Sequence, residues 1–365
     1  MEPFKNRING ALVQEAAARL QAASPGFDGA RFSAVAMHGL DALELKARAL
    51  QLCAALEATL PGNFTQAARL LDTAMTGDDA LAGWALWPVG EYIARHGQGE
   101  PQRALALLHR LTQRFTAEFA IRPFIVEHPA LVLRTLADWT RDPSEHVRRL
   151  VSEGSRPRLP WGLRLKALVD DPTPTLPLLL ALQDDPSDYV RRSVANHLND
   201  IAKDHPALVA EWLETHLPGA PAARRSLLRH ASRTLVKQGD RRVLRAWGLG
   251  AALRGSATLA VAPAAIMLGD SVTLTLALQS HAAKAQRLAI DYAVHHVKAS
   301  GETSAKVFKG WQIELAPHAC ITLVKRHSMR PVTTRRYHAG LHAVDVQING
   351  ARVAGASFML KLPRP

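Results

Sequence analysis

The chain has 365 residues, 47% hydrophobic and 21% charged, a balance that excludes an intrinsically disordered protein and leaves room for two domains with a sizeable core. Its 45 Lys+Arg against 32 Asp+Glu give a net charge of +13, a field that favours a polyanion such as nucleic acid, or an anionic membrane surface. No apolar run approaches the roughly 20 residues a bilayer crossing needs, which excludes a helical membrane protein.

The opening segment, MEPFKNRINGALVQ, lacks the apolar centre of a signal peptide, so a cytoplasmic protein is expected. Residues 1–250 read as helix after helix, rich in Ala, Leu and Arg with a period near 3.6, as in ALVQEAAARLQAA and QRALALLHRLTQRF. Within them DPSEHVRR begins at Asp142 and DPSDYVRR at Asp185, an offset of 43 that carries across the whole preceding period; ARRSLLRHASRTLVK, residues 223–237, echoes it again. A period of about 40 to 47 points to an all-α HEAT-like repeat solenoid, with the Asp-Pro pair predicted to start helices, Asp as cap and Pro at the first helical position.

On the helix that follows Asp185, Val190, Val194, Leu198 and Ile201 form the predicted inward face, while Arg192, Asn196 and Asp200 line another. One period earlier Arg148 and Arg149 occupy the equivalent Val-Arg-Arg positions, with Glu153 four residues after Arg149; in the following helix Arg225, Arg229, Arg233 and Lys237 recur every fourth residue. These rows are either solvated faces or a track for DNA phosphates. Glu118, in TAEFAIRPF, is read just inside a helix start, where an acid often serves only the helix dipole. In EGSRPRLPWG, prolines hold Arg156, Arg158 and Trp161 in place, a mixture suited to phosphate and to a sugar or base face, unless the tryptophan merely packs a turn.

Gly248 and Gly250 lie in a junction rather than a dinucleotide loop, because no strand precedes them. Residues 257–365 alternate β-branched residues with others in about seven short strands, and Asn349-Gly350 sits where a two-residue hairpin turn belongs. A small all-β immunoglobulin-like sandwich follows, without the antibody cysteine pair. Residues 256–365 hold 13 Lys+Arg against 5 Asp+Glu, and Arg330, Arg335 and Arg336 cluster near one predicted loop. That cluster is either a DNA-binding arm or a basic edge that discourages sheet pairing. Cys53 and Cys320 are far apart, and the 16 histidines show no ligand spacing, so neither disulfide nor metal nor cofactor is expected.

The segments TAEFAIRPF, DWTRDPSEHVRRLVSEGSRPRLPWG and DPSDYVRRSVANHLNDIAKDHP resemble the AlkC branch of the AlkC/AlkD DNA alkylation-repair glycosylases, and the strand region resembles the immunoglobulin-like extension of some AlkC members. The resemblance covers most of the helical part. It implies excision of 3-methyladenine, with 3-methylcytosine as a second lesion, from double-stranded DNA that the solenoid wraps and bends without flipping the base. A monomer with a catalytic domain over 1–250 and an arm over 257–365 is expected.

An N3-methylated adenine is already cationic and leaves without a general acid, while positive charge develops on its deoxyribose. Carboxylates fixed beside that sugar stabilise the charge and can orient a water toward C1′. Glu118, Glu153 and Asp200 are the candidates, with Trp161 pressing an electron-rich face on the sugar or base; the acid that orients the water is left open. No lysine is placed to form a Schiff base, so lyase activity is not expected. A non-catalytic repeat scaffold for damaged or structured DNA is the alternative from another class, and an adaptor for acidic peptides is a third.

Overall fold

The computed structural model describes residues 3–362 apart from 78, 250, 333 and 334. Helices fill the first part: α1 (Gly10–Ala23), α2 (Gly29–Met37), α3 (Leu45–Thr59), α4 (Phe64–Ala74), α5 (Leu86–His96) and α6 (Pro101–Thr112). Asn9, Asp28 and Asn63 cap α1, α2 and α4, each side-chain oxygen accepting from the backbone N–H three residues on. There follow α7 (Arg122–Glu127), α8 (Pro129–Trp139), α9 (Glu145–Gly154), α10 (Lys166–Asp170), α11 (Leu176–Leu182) and α12 (Asp188–Ile201). The last four are α13 (Pro206–His216), α14 (Ala222–Ala231), α15 (Arg233–Gln238) and α16 (Arg241–Ala246). Among the described residues no helix is long and apolar enough to cross a membrane.

The sequence offset is also a structural one. Helices α8 and α11 end at Trp139 and Leu182, and α9 and α12 start at Glu145 and Asp188, each pair 43 residues apart. Val147, Leu150 and Val151 of α9, and Val190, Val194, Leu198 and Ile201 of α12, are buried. Burial of each such side chain stabilises by about 1.5–3 kcal/mol, so one apolar stripe per helix is enough to hold the pair in place.

The Asp-Pro pair works differently from the expectation. Ser144 and Ser187, not the aspartates, occupy the cap positions, and Pro143 and Pro186 lie outside the helices. The carboxylates of Asp142 and Asp185 instead accept the N–H of Ser144 (2.8 Å) and Ser187 (2.9 Å), closing a turn just before each helix. The first arginine of each Val-Arg-Arg folds back onto that turn: Arg148 donates to the carbonyls of Asp142 and Pro143, and Arg191 to those of Asp185 and Pro186. Each turn is also gripped from a helix earlier in the chain, through His109 of α6 on Asp142 (2.7 Å) and Arg148 of α9 on Asp185 (2.7 and 3.1 Å).

The predicted row Arg225, Arg229, Arg233, Lys237 is not continuous. The helix breaks at Ser232, leaving the first two residues on α14 and the last two on α15. Two compact units result: the described residues up to Asp204 with Pro221–Ala231, and His205–Ala220 with the described residues from Ser232 on. Helices α13, α15 and α16 therefore share a unit with the strands.

Among the described residues eight strands, one more than expected, make two sheets. The three-stranded sheet has the order β1 (Gly255–Ala262), β3 (Ser271–Ser280), β6 (Cys320–Ser328). The five-stranded sheet runs β2 (Ala265–Met267), β8 (Ala351–Lys361), β7 (Gly340–Ile348), β4 (Gln286–Val297), β5 (Thr303–Leu315), antiparallel except for the β2–β8 pair. Leu274, Leu276, Ile290, Tyr292, Val344, Val346 and Phe358 are among the side chains that fill the core between them. Asn349-Gly350 makes the β7–β8 turn, both at positive φ (49° and 78°), as a hairpin of this hand requires.

Candidate functional site

The three carboxylates named from the sequence meet in one side-chain network in the first unit. Asp200 reaches it from the last turn of α12 and is only 1% exposed. Its Oδ2 accepts from Arg156 Nε (2.8 Å) and its Oδ1 from Lys203 Nζ (2.8 Å). Arg156 turns its Nη1 to Glu153 Oε1 (2.7 Å), and the other oxygen of Glu153 accepts from the Ser193 hydroxyl (2.7 Å). Arg149, one helical turn before Glu153, lies 3.6 Å from Glu153 Oε1 and 2.5 Å from Glu118 Oε2. The chain of contacts thus runs Glu118, Arg149, Glu153, Arg156, Asp200, Lys203.

Glu118 is not inside a helix start. It lies in the turn that precedes α7, which begins at Arg122, so the helix-dipole account of it loses its basis. Thr116 fixes it: the hydroxyl donates to Glu118 Oε2 (3.0 Å) and accepts from the Glu118 N–H (3.2 Å) and from Arg149 Nη1 (3.0 Å).

Two guanidiniums answer three carboxylates, with Lys203 at the rim, in a setting where charges are little screened. Burial alone would depress the Arg156 guanidinium, yet its hydrogen bond to Asp200 and the field of Glu153 hold it above its ordinary range. At the neighbouring His197 burial outweighs the hydrogen bond to the Ser152 carbonyl (3.0 Å from Nδ1) and the fields of Asp200 and Glu153 and pushes the ring down to about 4, so it is a neutral packing group at neutral pH.

Trp161 is 71% exposed and sits in the left-handed region (φ 63°), which a bulky side chain rarely occupies. An indole held in water by a strained turn has no packing role to explain it. Below it, Leu165 N–H donates to Pro157 O (3.2 Å) and Gly162 N–H to Leu159 O (3.2 Å), closing the loop.

The predicted phosphate contacts fall into distinct groups. Arg148 and Arg156 are held inward by Asp185 and by Asp200 and Glu153, and Arg158 makes a bidentate pair with Asp204 (2.6 Å each). Arg192 is 69% exposed, with Asp188 at 3.0 Å, and Asn196 Oδ1 lies 2.9 Å from His230 Nε2. Arg225 and Arg229 lie on α14, whereas Arg233 opens α15 in the other unit. In the strand domain Arg330 and Arg336 are exposed and Arg335 pairs with Val332 across a tight bend, while Lys325 and Arg326 lie just before them on β6.

Two neighbours escaped the sequence reading. Tyr189, 44% exposed on the first turn of α12, lies under the Arg149 guanidinium at 5.2 Å, and burial, with the fields of Glu118 and Glu153 adding to it, raises its phenol. Arg122, fully buried, donates Nε to the Leu163 carbonyl (2.6 Å) and Nη1 to the Gly154 carbonyl (2.8 Å). The 43-residue offset contains a signal for both: it pairs Tyr189 with His146, another ring, and Arg122 with Leu165, an apolar residue.

Residues 109–235 match the family model described as DNA alkylation repair enzyme, and residues 255–362 match the C-terminal Ig-like domain of the uncharacterised protein YhaZ. The chain thus joins a helical DNA alkylation-repair domain to an immunoglobulin-like domain. YhaZ of Bacillus subtilis (strain 168) is 34% identical over 356 residues, 96% of this chain and 97% of that protein. The structure of the Pseudomonas fluorescens alkylpurine DNA glycosylase AlkC, bound to DNA containing an abasic site analogue, superposes with a TM-score of 0.91 at 36% identity, covering 99% of this chain and 100% of that one. The chain belongs to the AlkC branch of the DNA alkylation-repair enzymes and carries a C-terminal immunoglobulin-like domain.

Proposed function

We propose that the protein is a monofunctional DNA glycosylase that removes cationic alkylated bases, 3-methyladenine first and 3-methylcytosine second, from double-stranded DNA, as a monomer and without flipping the base. The observation that carries this reading is the convergence of Glu118, Glu153 and Asp200, which lie in different parts of the sequence, on one arginine-bridged network. Membership of the AlkC branch and the likeness to an alkylpurine glycosylase bound to DNA support it.

In this mechanism the bond between C1′ and the base nitrogen breaks and its electron pair neutralises the cationic base. The deoxyribose is left oxocarbenium-like beside three carboxylates held in place by Arg149, Arg156 and Lys203, and anions preorganised in this way stabilise that charge without reorganising. Water then adds its oxygen to C1′ and gives up a proton, leaving an abasic site. Trp161 offers its electron-rich face to the cation. The helices, read as a HEAT-like solenoid over 1–250, carry the duplex; Arg192, Asn196, Arg225, Arg229 and Arg233 contact its phosphates, and the domain over 257–365 adds Arg330, Arg335 and Arg336 as an arm.

The test is release of free 3-methyladenine from methylated duplex by the wild type, Glu118→Gln and Asp200→Asn, with duplex binding followed in parallel. Release lost while binding persists is the expected result. A folded wild type that binds methylated duplex and releases nothing would instead make the protein a DNA-binding scaffold.

A further inference from the structure

Arg122 is an arginine where packing asks for none. The 43-residue offset places it opposite Leu165, a buried apolar side chain, so this position is filled by leucine in the next period. Among the described residues no carboxylate lies within ion-pair distance of its guanidinium, and Nη2 is buried without a hydrogen-bond partner. Burial, and after it the charge of Arg156, pulls the group down to about 10, which still leaves it charged at neutral pH. A buried, incompletely satisfied cation is unfavourable and is not retained for stability alone.

Its two hydrogen bonds show what it holds. Nη1 binds the carbonyl of Gly154, the residue after Glu153 at the end of α9, and Nε binds the carbonyl of Leu163, two residues after Trp161. Between these bonds Gly162 crosses the side chain so closely that an added Cβ would lie 3.3 Å from Arg122 Cδ and Nε and 3.0 Å from Leu159 Cδ2. Beside the turn's own backbone bonds, one guanidinium thus ties the strained turn that exposes Trp161 to the end of the helix that carries Glu153.

We propose that Arg122 is a positioning residue, which sets the Trp161 turn against the carboxylate cluster for base release. The inference rests on the glycosylase reading above. Displacement of a reacting or contacting group by about 1 Å can lower a rate about 10²-fold, so a loosened turn acts on the chemical step rather than on duplex affinity.

The test uses the full chain with Arg122→Lys, Arg122→Met and Gly162→Ala. Single-turnover release of 3-methyladenine should fall roughly 10- to 100-fold, with affinity for methylated duplex changed by less than about 3-fold. Trypsin cleavage after Arg164, exposed just beyond the turn, should quicken about 10-fold or more, reporting the loosened turn without reference to activity. In a Trp161→Ala background Arg122→Lys should remove little further rate, since both changes act through one indole. Should Arg122→Met fail to fold, Arg122→Lys and Gly162→Ala carry the test. Cooperatively folded variants with wild-type release and wild-type trypsin resistance would overturn the proposal, as would an undiminished effect of Arg122→Lys in the Trp161→Ala background. A wild type that releases no base would remove the glycosylase reading, and trypsin resistance alone would then decide whether Arg122 holds the turn.

Discussion

Asp200→Asn separates chemistry from stability because the substitution keeps the shape of the side chain and removes only its charge. In the folded chain Asp200 is 1% exposed and takes hydrogen bonds from Arg156 and Lys203, both at 2.8 Å. Asparagine can still accept from Arg156, so the full 3–5 kcal/mol for breaking a buried pair does not apply. The loss should instead be about 1–3 kcal/mol, the range for weakening a charge-assisted hydrogen bond and leaving a buried cation less well satisfied. That change corresponds to a fall in melting temperature of roughly 2–4 °C per kcal/mol for a unit of this size. Catalysis should suffer more, by about 10²–10³ in the rate of base release, as when one preorganised electrostatic group is deleted from a transition-state site. Thermal unfolding by circular dichroism measures the first effect, and single-turnover release from methylated duplex at saturating protein measures the second. A variant destabilised as described but releasing base at the wild-type rate would show that Asp200 serves only to hold Arg156, and would leave the chemistry to Glu118 and Glu153.

Arg148→Met should destabilise the helical unit by roughly 3–5 kcal/mol, because it strands the nearly buried Asp185 carboxylate; urea unfolding checks this, and a loss below about 1 kcal/mol would refute the bridge between successive turns. Three buried histidines of the strand domain make its stability fall in acid. Burial, with Arg335 and Lys306 adding to it, lowers His296 to about 3 and His327 to about 4, and burial lowers His342 as well. These rings are neutral in the fold while the unfolded chain binds protons below its ordinary value of 6.5, so their contribution is complete above 6.5 and declines from there toward 4 and 3, by up to about 1.4 kcal/mol per pH unit for each ring. Unfolding midpoints compared at pH 7.5 and 5 for the wild type and His296→Phe should show a shallower acid loss in the variant, and parallel losses would contradict this. Gly350→Ala should destabilise the strand domain by more than about 1 kcal/mol, since φ is 78° and an added Cβ would meet the Gly239 backbone at 2.8–2.9 Å; an unchanged melting temperature would argue against that close approach.

Local patterns were the legible part of the sequence. The inward stripe of α12 followed from its 3.6 period, and the β7–β8 turn from Asn349-Gly350, because a period or a positive-φ pair is written within a few residues. Partners were not legible. Nothing adjacent to Arg158 announces Asp204, or to Arg148 Asp185, because each acid lies about 40 residues away and any of several would match by charge. For the same reason an arginine suited to phosphate and one locked in an internal bridge read alike. The Asp-Pro turn was misplaced by two residues because Asp and Ser both cap helices, and only the backbone shows which one does. The carboxylates were picked out by the family resemblance and the repeat offset, which fixes equivalent positions but not the side chains that cross between them.

Helices α13, α15 and α16 belong to the same compact unit as the eight strands, while α14 belongs to the other. The polypeptide therefore passes between the units three times, after Asp204, after Ala220 and after Ala231, before it enters the first strand at Gly255. No single scission can yield two intact halves. A protein truncated at the boundary visible in the sequence would lose its strands and leave α13, α15 and α16 without the rest of the unit to which they belong, so such a cut removes part of a folded body rather than a separable appendage.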